Sequence, residues 1–78
     1  MRHYNVIGPQ VRKLRYRHRW SQIKYATKLQ RCGWDVSRVA VAKIESRVRA
    51  VLDVHVLYLA EVLQVGVADL FPKTHVRR

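Results

Sequence analysis

The sequence predicts an all-α protein, a compact bundle of five short helices in a single domain. Apolar residues recur at three- and four-residue steps, and serines stand where helices would begin. Glycine and proline mark the breaks, at Gly8-Pro9, Cys32-Gly33, Gly66 and Pro72. No strand is predicted, and residues 1–78 are expected to form one unit with a core over about residues 7–71.

The first three helices follow from spacing and caps. Helix 1 is predicted over about residues 9–18, with Asn5 as a candidate cap and Ile7, Val11 and Leu14 on its apolar face. Helix 2 is predicted to start after the cap Ser21 and to run to about residue 31, with an apolar stripe of Trp20, Ile23, Ala26 and Leu29. After a turn over residues 32–36, the cap Ser37 opens helix 3, which ends at Glu45 and has a stripe of Val41, Ile44 and Val48.

Two further helices complete the prediction. Asp53 is the expected cap of helix 4, whose broad apolar face consists of Val56, Leu57, Leu59, Ala60 and Leu63. A last helical turn from Val67 to Phe71 is expected to place Val67, Leu70 and Phe71 on the core. Pro72 ends this turn, and a basic tail follows over residues 73–78.

Composition excludes several classes of protein. Cys32 is the single cysteine, so neither an internal disulfide nor a cysteine zinc site can form, which favours a reducing, cytoplasmic setting. The apolar stretches are too short for a signal peptide or a membrane span. The four histidines are dispersed, and no spacing indicates a catalytic triad or a carboxylate pair. We therefore expect no enzyme, no cofactor and no metal.

The charge distribution indicates an anionic partner. The chain carries 16 Lys and Arg against 5 Asp and Glu, a net charge of +11. Residues 1–49 hold 13 basic and 2 acidic side chains, whereas residues 50–78 hold 3 of each. A basic surface needed only for solubility would be expected to scatter this charge along the chain. The asymmetry instead predicts that one part of the fold meets phosphate.

The order of several short motifs resembles the lambda-repressor-like (Cro-type, or XRE) helix-turn-helix family of phage repressors and bacterial regulators. The resemblance covers about residues 7–71. It rests on Ile7-Gly8-Pro9, Val11, Leu14-Arg15, Trp20-Ser21-Gln22, Ala26, Val36-Ser37-Arg38, Lys43-Ile44-Glu45, Leu59-Ala60, Leu63, Val65, Val67 and Leu70-Phe71. It implies that helices 2 and 3 are the helix-turn-helix and that helix 3 enters the major groove.

The same resemblance assigns candidate DNA contacts. Arg38, Val39 and Lys43 match base-reading positions, where the basic side chains would bond guanine and Val39 would pack on a thymine methyl. The alternative is that the two basic side chains contact only the DNA backbone. Phosphate contacts are expected from Gln22, Ser37, Arg47 and Arg49.

Arg15 and Glu45 match a family pair that forms a partly buried ion pair between helix 1 and the end of helix 3. The alternative is a solvated Glu45 near Arg47 and Arg49.

The sequence departs from the family at two places. The span from Gln22 to Glu45 is longer than in most members, and the extra residues fall around Gln30 to Asp35. Trp34 in this enlarged turn is expected to join the core, the alternatives being contact with the DNA backbone or with a partner subunit. Arg47 stands where the family often has glycine in a left-handed conformation, which predicts a strained or rearranged end of helix 3.

The expected function is that of a bacterial or phage transcriptional regulator, acting as a repressor, that binds specific double-stranded DNA as a homodimer in the nucleoid. Homodimerisation is expected because one such domain buries little DNA surface. Two alternatives remain open. The chain could be the antitoxin of a toxin–antitoxin pair, with a toxin partner on its neutral half, or a binder of nucleic acid or membrane surfaces that is driven by charge alone.

Overall fold

The computed structural model describes residues 3–72, which form four α-helices and one 3-10 helix. The α-helices are α1 (Gly8–Arg17), α2 (Gln22–Cys32), α3 (Arg38–Glu45) and α4 (Asp53–Leu63), and the 3-10 helix spans Val67–Leu70. The all-α prediction is correct for these residues, but the count of five α-helices is wrong because the last turn is a short 3-10 segment. The predicted basic tail lies outside the described residues.

The helix ends show which capping predictions are correct. The hydroxyl of Ser21 accepts a hydrogen bond from the Lys24 backbone N–H, and Ser37 does the same for Ala40, so both caps are confirmed. Asp53 is not a cap, because Leu52 takes the extended conformation of that position and Asp53 is the first residue of α4. Its negative charge still stabilises α4, because it lies at the positive, N-terminal end of the helix dipole.

The core differs from the predicted stripes on α2 and α4. On α2 the buried residues are Tyr25, Ala26 and Leu29, whereas Ile23 is 62% exposed. On α4 they are Leu59, Ala60 and Leu63, whereas Leu57 is 57% exposed. α4 is apolar almost all round, so spacing alone could not show which side faces the body.

Three more residues predicted to be buried are not. Val48 is half exposed because α3 ends at Glu45 and the chain turns away, which removes Val48 from the stripe of Val41 and Ile44. In the last turn only Leu70 is fully buried, while Val67 and Phe71 keep more than a third of their surface in solvent. The apolar residues left outside the core are therefore concentrated around α4 and the 3-10 helix.

Close contact between helices fixes the position of α3. A Cβ atom on Gly8 would lie 2.3 Å from the backbone oxygen of Ile44, so the start of α1 meets the end of α3 at a distance that only glycine allows. On the other side of the core, the Tyr25 hydroxyl donates a 3.0 Å hydrogen bond to the backbone oxygen of Leu59. α3 is thus held between α1 and α2, and α2 is held in turn against α4.

Among the described residues, none of the helices has the length and apolar character needed to cross a bilayer.

Candidate nucleic-acid interface

The short helix α3 divides cleanly into a buried and an exposed face. Its buried residues are Ala40, Val41, Ile44 and Glu45, which recur at steps of one, three and one along the helix. The three predicted base-reading residues, Arg38, Val39 and Lys43, all lie exposed on the opposite face. Val39 differs from the two cations, since it is an aliphatic side chain that is about half exposed. α3 therefore presents two cations and one apolar group together to the outside.

Two of the predicted phosphate-binding residues border the same face. A shallow cavity of about 400 Å³ is lined by Ser37, Val39, Ala40, Lys43, Val48 and Arg49. Ser37 enters it from the start of α3, and Arg49 enters it from the segment that follows α3. The structure thus brings these two residues next to Val39 and Lys43.

Arg47 is more constrained than its place in the sequence suggests. Its backbone is left-handed, with φ of 68°, as expected for a position where the family favours glycine. Hydrogen bonds with the N-terminal segment hold it there: Arg47 Nε donates to the backbone oxygen of Asn5 at 3.0 Å, and Tyr4 N–H donates to the backbone oxygen of Arg47 at 2.9 Å. The guanidinium of Arg47 is therefore partly occupied by a contact within the protein.

Gln22 also has a partner inside the protein. It is the first residue of α2 and is half buried, and its Nε2 donates to Glu45 Oε1 at 3.2 Å. The sequence alone suggested no role for this side chain other than phosphate binding. The structure shows that it also joins the start of α2 to the end of α3.

Glu45 is the centre of a charged cluster between α1, α2 and α3. Arg15 donates to both of its oxygens, from Nε at 2.6 Å and from Nη2 at 2.9 Å, so the two residues form a bidentate ion pair. The Nε of Arg12 lies 3.5 Å from Glu45 Oε1. The hydrogen bonds to Glu45 raise the pKa of Arg15, despite the opposing effect of burial. The acid at the end of α3 is thus neutralised and does not present free negative charge to an anion.

Comparison with solved structures identifies this arrangement of helices. The restriction-modification controller protein C.AhdI from Aeromonas hydrophila has a similar structure, with a TM-score of 0.73 and 29% sequence identity over 83% of this chain and 87% of that chain. This likeness supports the resemblance of the chain to the lambda-repressor-like helix-turn-helix family. No protein-family model matches the sequence, and no curated protein is significantly similar to it.

The enlarged turn of this helix-turn-helix domain is packed against the protein body. Trp34 is buried, as expected, and its ring stacks on that of His55 in α4 at a centroid distance of 4.0 Å. Gln30 Nε2 donates to the backbone oxygen of Val36 at 2.7 Å and so ties the turn to the end of α2. Gly33 reverses the chain with φ of 114°. The turn is therefore held on both sides, by α2 and by α4.

Sequence reasoning missed most of what Asn5 does in this domain. The predicted cap of helix 1 is wrong, because Ile7 takes the N-cap position, but the Oδ1 of Asn5 accepts a hydrogen bond at 2.8 Å from the N–H of Gly8, the first residue of α1. Its Nδ2 donates to the backbone oxygens of Ile44 at 3.1 Å and Arg49 at 2.9 Å. Asn5 therefore joins α1, α3 and the segment after α3. Only the local contact carries a signal in the sequence, because the partners of Nδ2 lie some forty residues away.

Proposed function

We propose that this helix-turn-helix domain binds specific double-stranded DNA and regulates transcription, with α3 in the major groove. The observation that carries the proposal is the exposed face of α3, on which Arg38, Val39 and Lys43 stand together beside the basic segment that follows the helix. The likeness to a restriction-modification controller protein supports the same function. Bound across a promoter, such a domain would repress by excluding RNA polymerase.

The base contacts follow from the chemistry of the three side chains. Arg38 in the first turn of α3 and Lys43 one turn further can each donate to O6 and N7 of guanine, which are both acceptors in the major groove. Val39 lies between them and can pack on the methyl group of thymine. An exposed aliphatic side chain in this place serves recognition of a base better than attraction to a phosphate, because phosphate offers it no favourable contact.

The phosphate contacts are assigned to Gln22, Ser37, Arg47 and Arg49, which flank α3 at its two ends. Together with the excess positive charge of residues 1–49, they predict strongly salt-dependent binding. With about 5–8 phosphates neutralised, log K should fall with log salt at a slope of roughly −0.9 for each phosphate. A slope near zero in fluorescence-anisotropy titrations would contradict the assignment of this face to DNA.

A homodimer is proposed through the apolar surface that remains exposed around α4. This surface, the α4 face, consists of Leu52, Val54, Leu57, Val67 and Phe71. It lies in the half of the chain with no net charge, whereas two copies meeting through residues 1–49 would repel each other. Contiguous exposed apolar side chains of this kind mark interaction sites. A second copy would cover them and place two α3 helices on successive half-sites.

Sedimentation tests the dimer. Wild type should sediment as a dimer at micromolar concentration, and Leu57→Glu should sediment as a folded monomer. A wild-type monomer that gains mass only with a co-expressed toxin would favour the antitoxin alternative.

Selection of DNA from a random library, followed by competition binding, tests the function. Selection should enrich a palindromic site. Arg38→Ala should then reduce the ratio of affinities for the selected site and a scrambled duplex, since loss of a base contact costs roughly 1–3 kcal/mol on the correct site alone. Gln22→Ala and Arg49→Ala should weaken binding to both duplexes and preserve the ratio. Failure to enrich any site, with equal affinity for all duplexes, would favour a binder driven by charge alone.

A further inference from the structure

The cluster around Glu45 contains more positive charge than the structure of the domain requires. Arg15 already satisfies both carboxylate oxygens through short hydrogen bonds, and it is buried together with Glu45. Arg12 contacts the same carboxylate at 3.5 Å, which is longer than a good hydrogen bond, and its side chain is 46% exposed. The two arginines and the one glutamate therefore have a net charge of +1. The positive charge that is not neutralised belongs to Arg12, which is the residue of the cluster that reaches solvent.

Glu45 holds this surplus charge and the amide of Gln22 in the same cluster. The Nε of Arg12 and the Nε2 of Gln22 both lie within 3.5 Å of the same oxygen, Glu45 Oε1, so the two donors meet at one carboxylate oxygen. Gln22 begins α2 and Glu45 ends α3, which places Arg12 at the flank of the proposed DNA-binding face although it belongs to α1. A phosphate oxygen that reached the amide of Gln22 would also meet the guanidinium of Arg12, which can donate from the side facing away from Glu45.

We propose that Arg12, on the helix before the helix-turn-helix, binds the same DNA backbone phosphate as Gln22. The proposal rests on the proposed function. Glu45 has a second role in this site, because it holds both donors side by side while Arg15 neutralises its charge. The phosphate contact carries no base preference, so it positions the domain on the duplex and adds affinity to every sequence.

Paired charge-removing variants on α1 test the proposal. Arg12→Gln removes the surplus cation, and Arg17→Gln is the matched control, since it removes the same charge from the same helix on the side that faces Val65 and Phe71. Affinities of the full-length protein for the selected and scrambled duplexes are measured by fluorescence anisotropy at several salt concentrations. Arg12→Gln should reduce the magnitude of the salt slope by about 0.9 for each bound domain relative to the control, with the specificity ratio unchanged. Arg12→Lys should retain most of the slope.

Comparison of slopes separates this role from a merely structural one. Partial unfolding lowers the amount of active protein and hence the apparent affinity, but it leaves the number of neutralised phosphates per bound domain unchanged. Equal slopes for Arg12→Gln and Arg17→Gln would overturn the proposal, whereas a wild type that fails to bind DNA would overturn the proposed function itself. Sharing of one phosphate predicts that the losses from Arg12→Gln and Gln22→Ala are less than additive in the double variant, and fully additive losses would contradict it.

Discussion

Replacing Glu45 by alanine should destabilise the domain more than any change to a surface acid. Glu45 is buried at the end of α3, where it accepts hydrogen bonds from Arg15 and Gln22 and lies next to Arg12. Glu45→Ala removes the anion and leaves the guanidinium of Arg15 buried without its counter-charge. The Nη1 of Arg15 would keep its 2.8 Å hydrogen bond to the backbone oxygen of Trp20, which replaces only part of what is lost.

The magnitude follows from the charge that remains behind. Removal of one partner of a buried ion pair costs roughly 3–5 kcal/mol. Arg15 cannot escape the cost by releasing its proton, because the ordinary pKa of an arginine side chain is far above neutral pH. Repulsion from the neighbouring Arg12 would add to the loss. At about 0.05–0.15 kcal/mol per residue, a chain of 78 residues has roughly 4–12 kcal/mol of total stability, so this single change would remove a large share of it.

Urea unfolding of three variants shows whether the loss of stability comes from the buried ion pair or would follow from the removal of any acidic side chain. Glu61→Ala is the matched control on the exposed side of α4 and should change stability by no more than about 0.5 kcal/mol. The double variant Arg15→Met with Glu45→Leu should be more stable than Glu45→Ala, because it removes the stranded charge and fills the same space with apolar groups. Equal unfolding free energies for Glu45→Ala and Glu61→Ala would refute the structural role of the pair.

Two further variants probe the packing of α3 and α4. Gly8→Ala should destabilise the domain by roughly 1–3 kcal/mol, because the new methyl group would overlap the backbone oxygen of Ile44. Gly66→Ala is the control and should change stability far less, because its new methyl group would lie 3.4 Å from the nearest atom. Equal melting temperatures for the two variants would contradict this prediction. Burial raises the pKa of the Tyr25 phenol, so Tyr25 stabilises the fold fully below its ordinary pKa of 10.0 and loses this contribution at higher pH, where the unfolded chain ionises. The free energy of unfolding of wild type relative to Tyr25→Phe should therefore fall by about 1.4 kcal/mol between pH 8 and pH 11. Urea unfolding at the two pH values measures this difference. A difference that stays constant would show that Tyr25 ionises equally in the folded and unfolded protein.

The sequence predicted the fold well where a local rule decides the structure. The serine caps at Ser21 and Ser37 depend on contacts three residues away, and both are present. The failures occur where several local arrangements are equally good. α4 is apolar on almost every side, so its spacing gave no reason to place Leu57 in solvent and Leu59 in the core. That choice is made by the packing of other helices against α4.

The candidate interface was predictable in its members but not in its internal contacts. Val39 and Lys43 share a face because they are four residues apart, as the sequence shows directly. Arg38 lies on the exposed side with them because Ala40, Val41, Ile44 and Glu45 occupy the buried side of α3. The contacts of Gln22 and Arg12 with Glu45, and of Asn5 with the backbone of Ile44 and Arg49, join residues more than twenty positions apart. Such contacts form only when α1, α2 and α3 have packed together, so no local sequence pattern predicts them.

The turn over residues 30–36 is packed into the body of the domain and fixes the start of α3. α2 ends at Cys32, the chain reverses at Gly33, and Trp34 inserts into the core against His55. Val36 directly precedes the cap of α3, is itself buried, and accepts a hydrogen bond from Gln30 through its backbone oxygen. The turn that leads into α3 is therefore anchored to α2 through Gln30 and to α4 through Trp34. Because this turn leads directly into α3, the packing of Trp34 on His55 helps to set the position of the first turn of α3, where Arg38 stands.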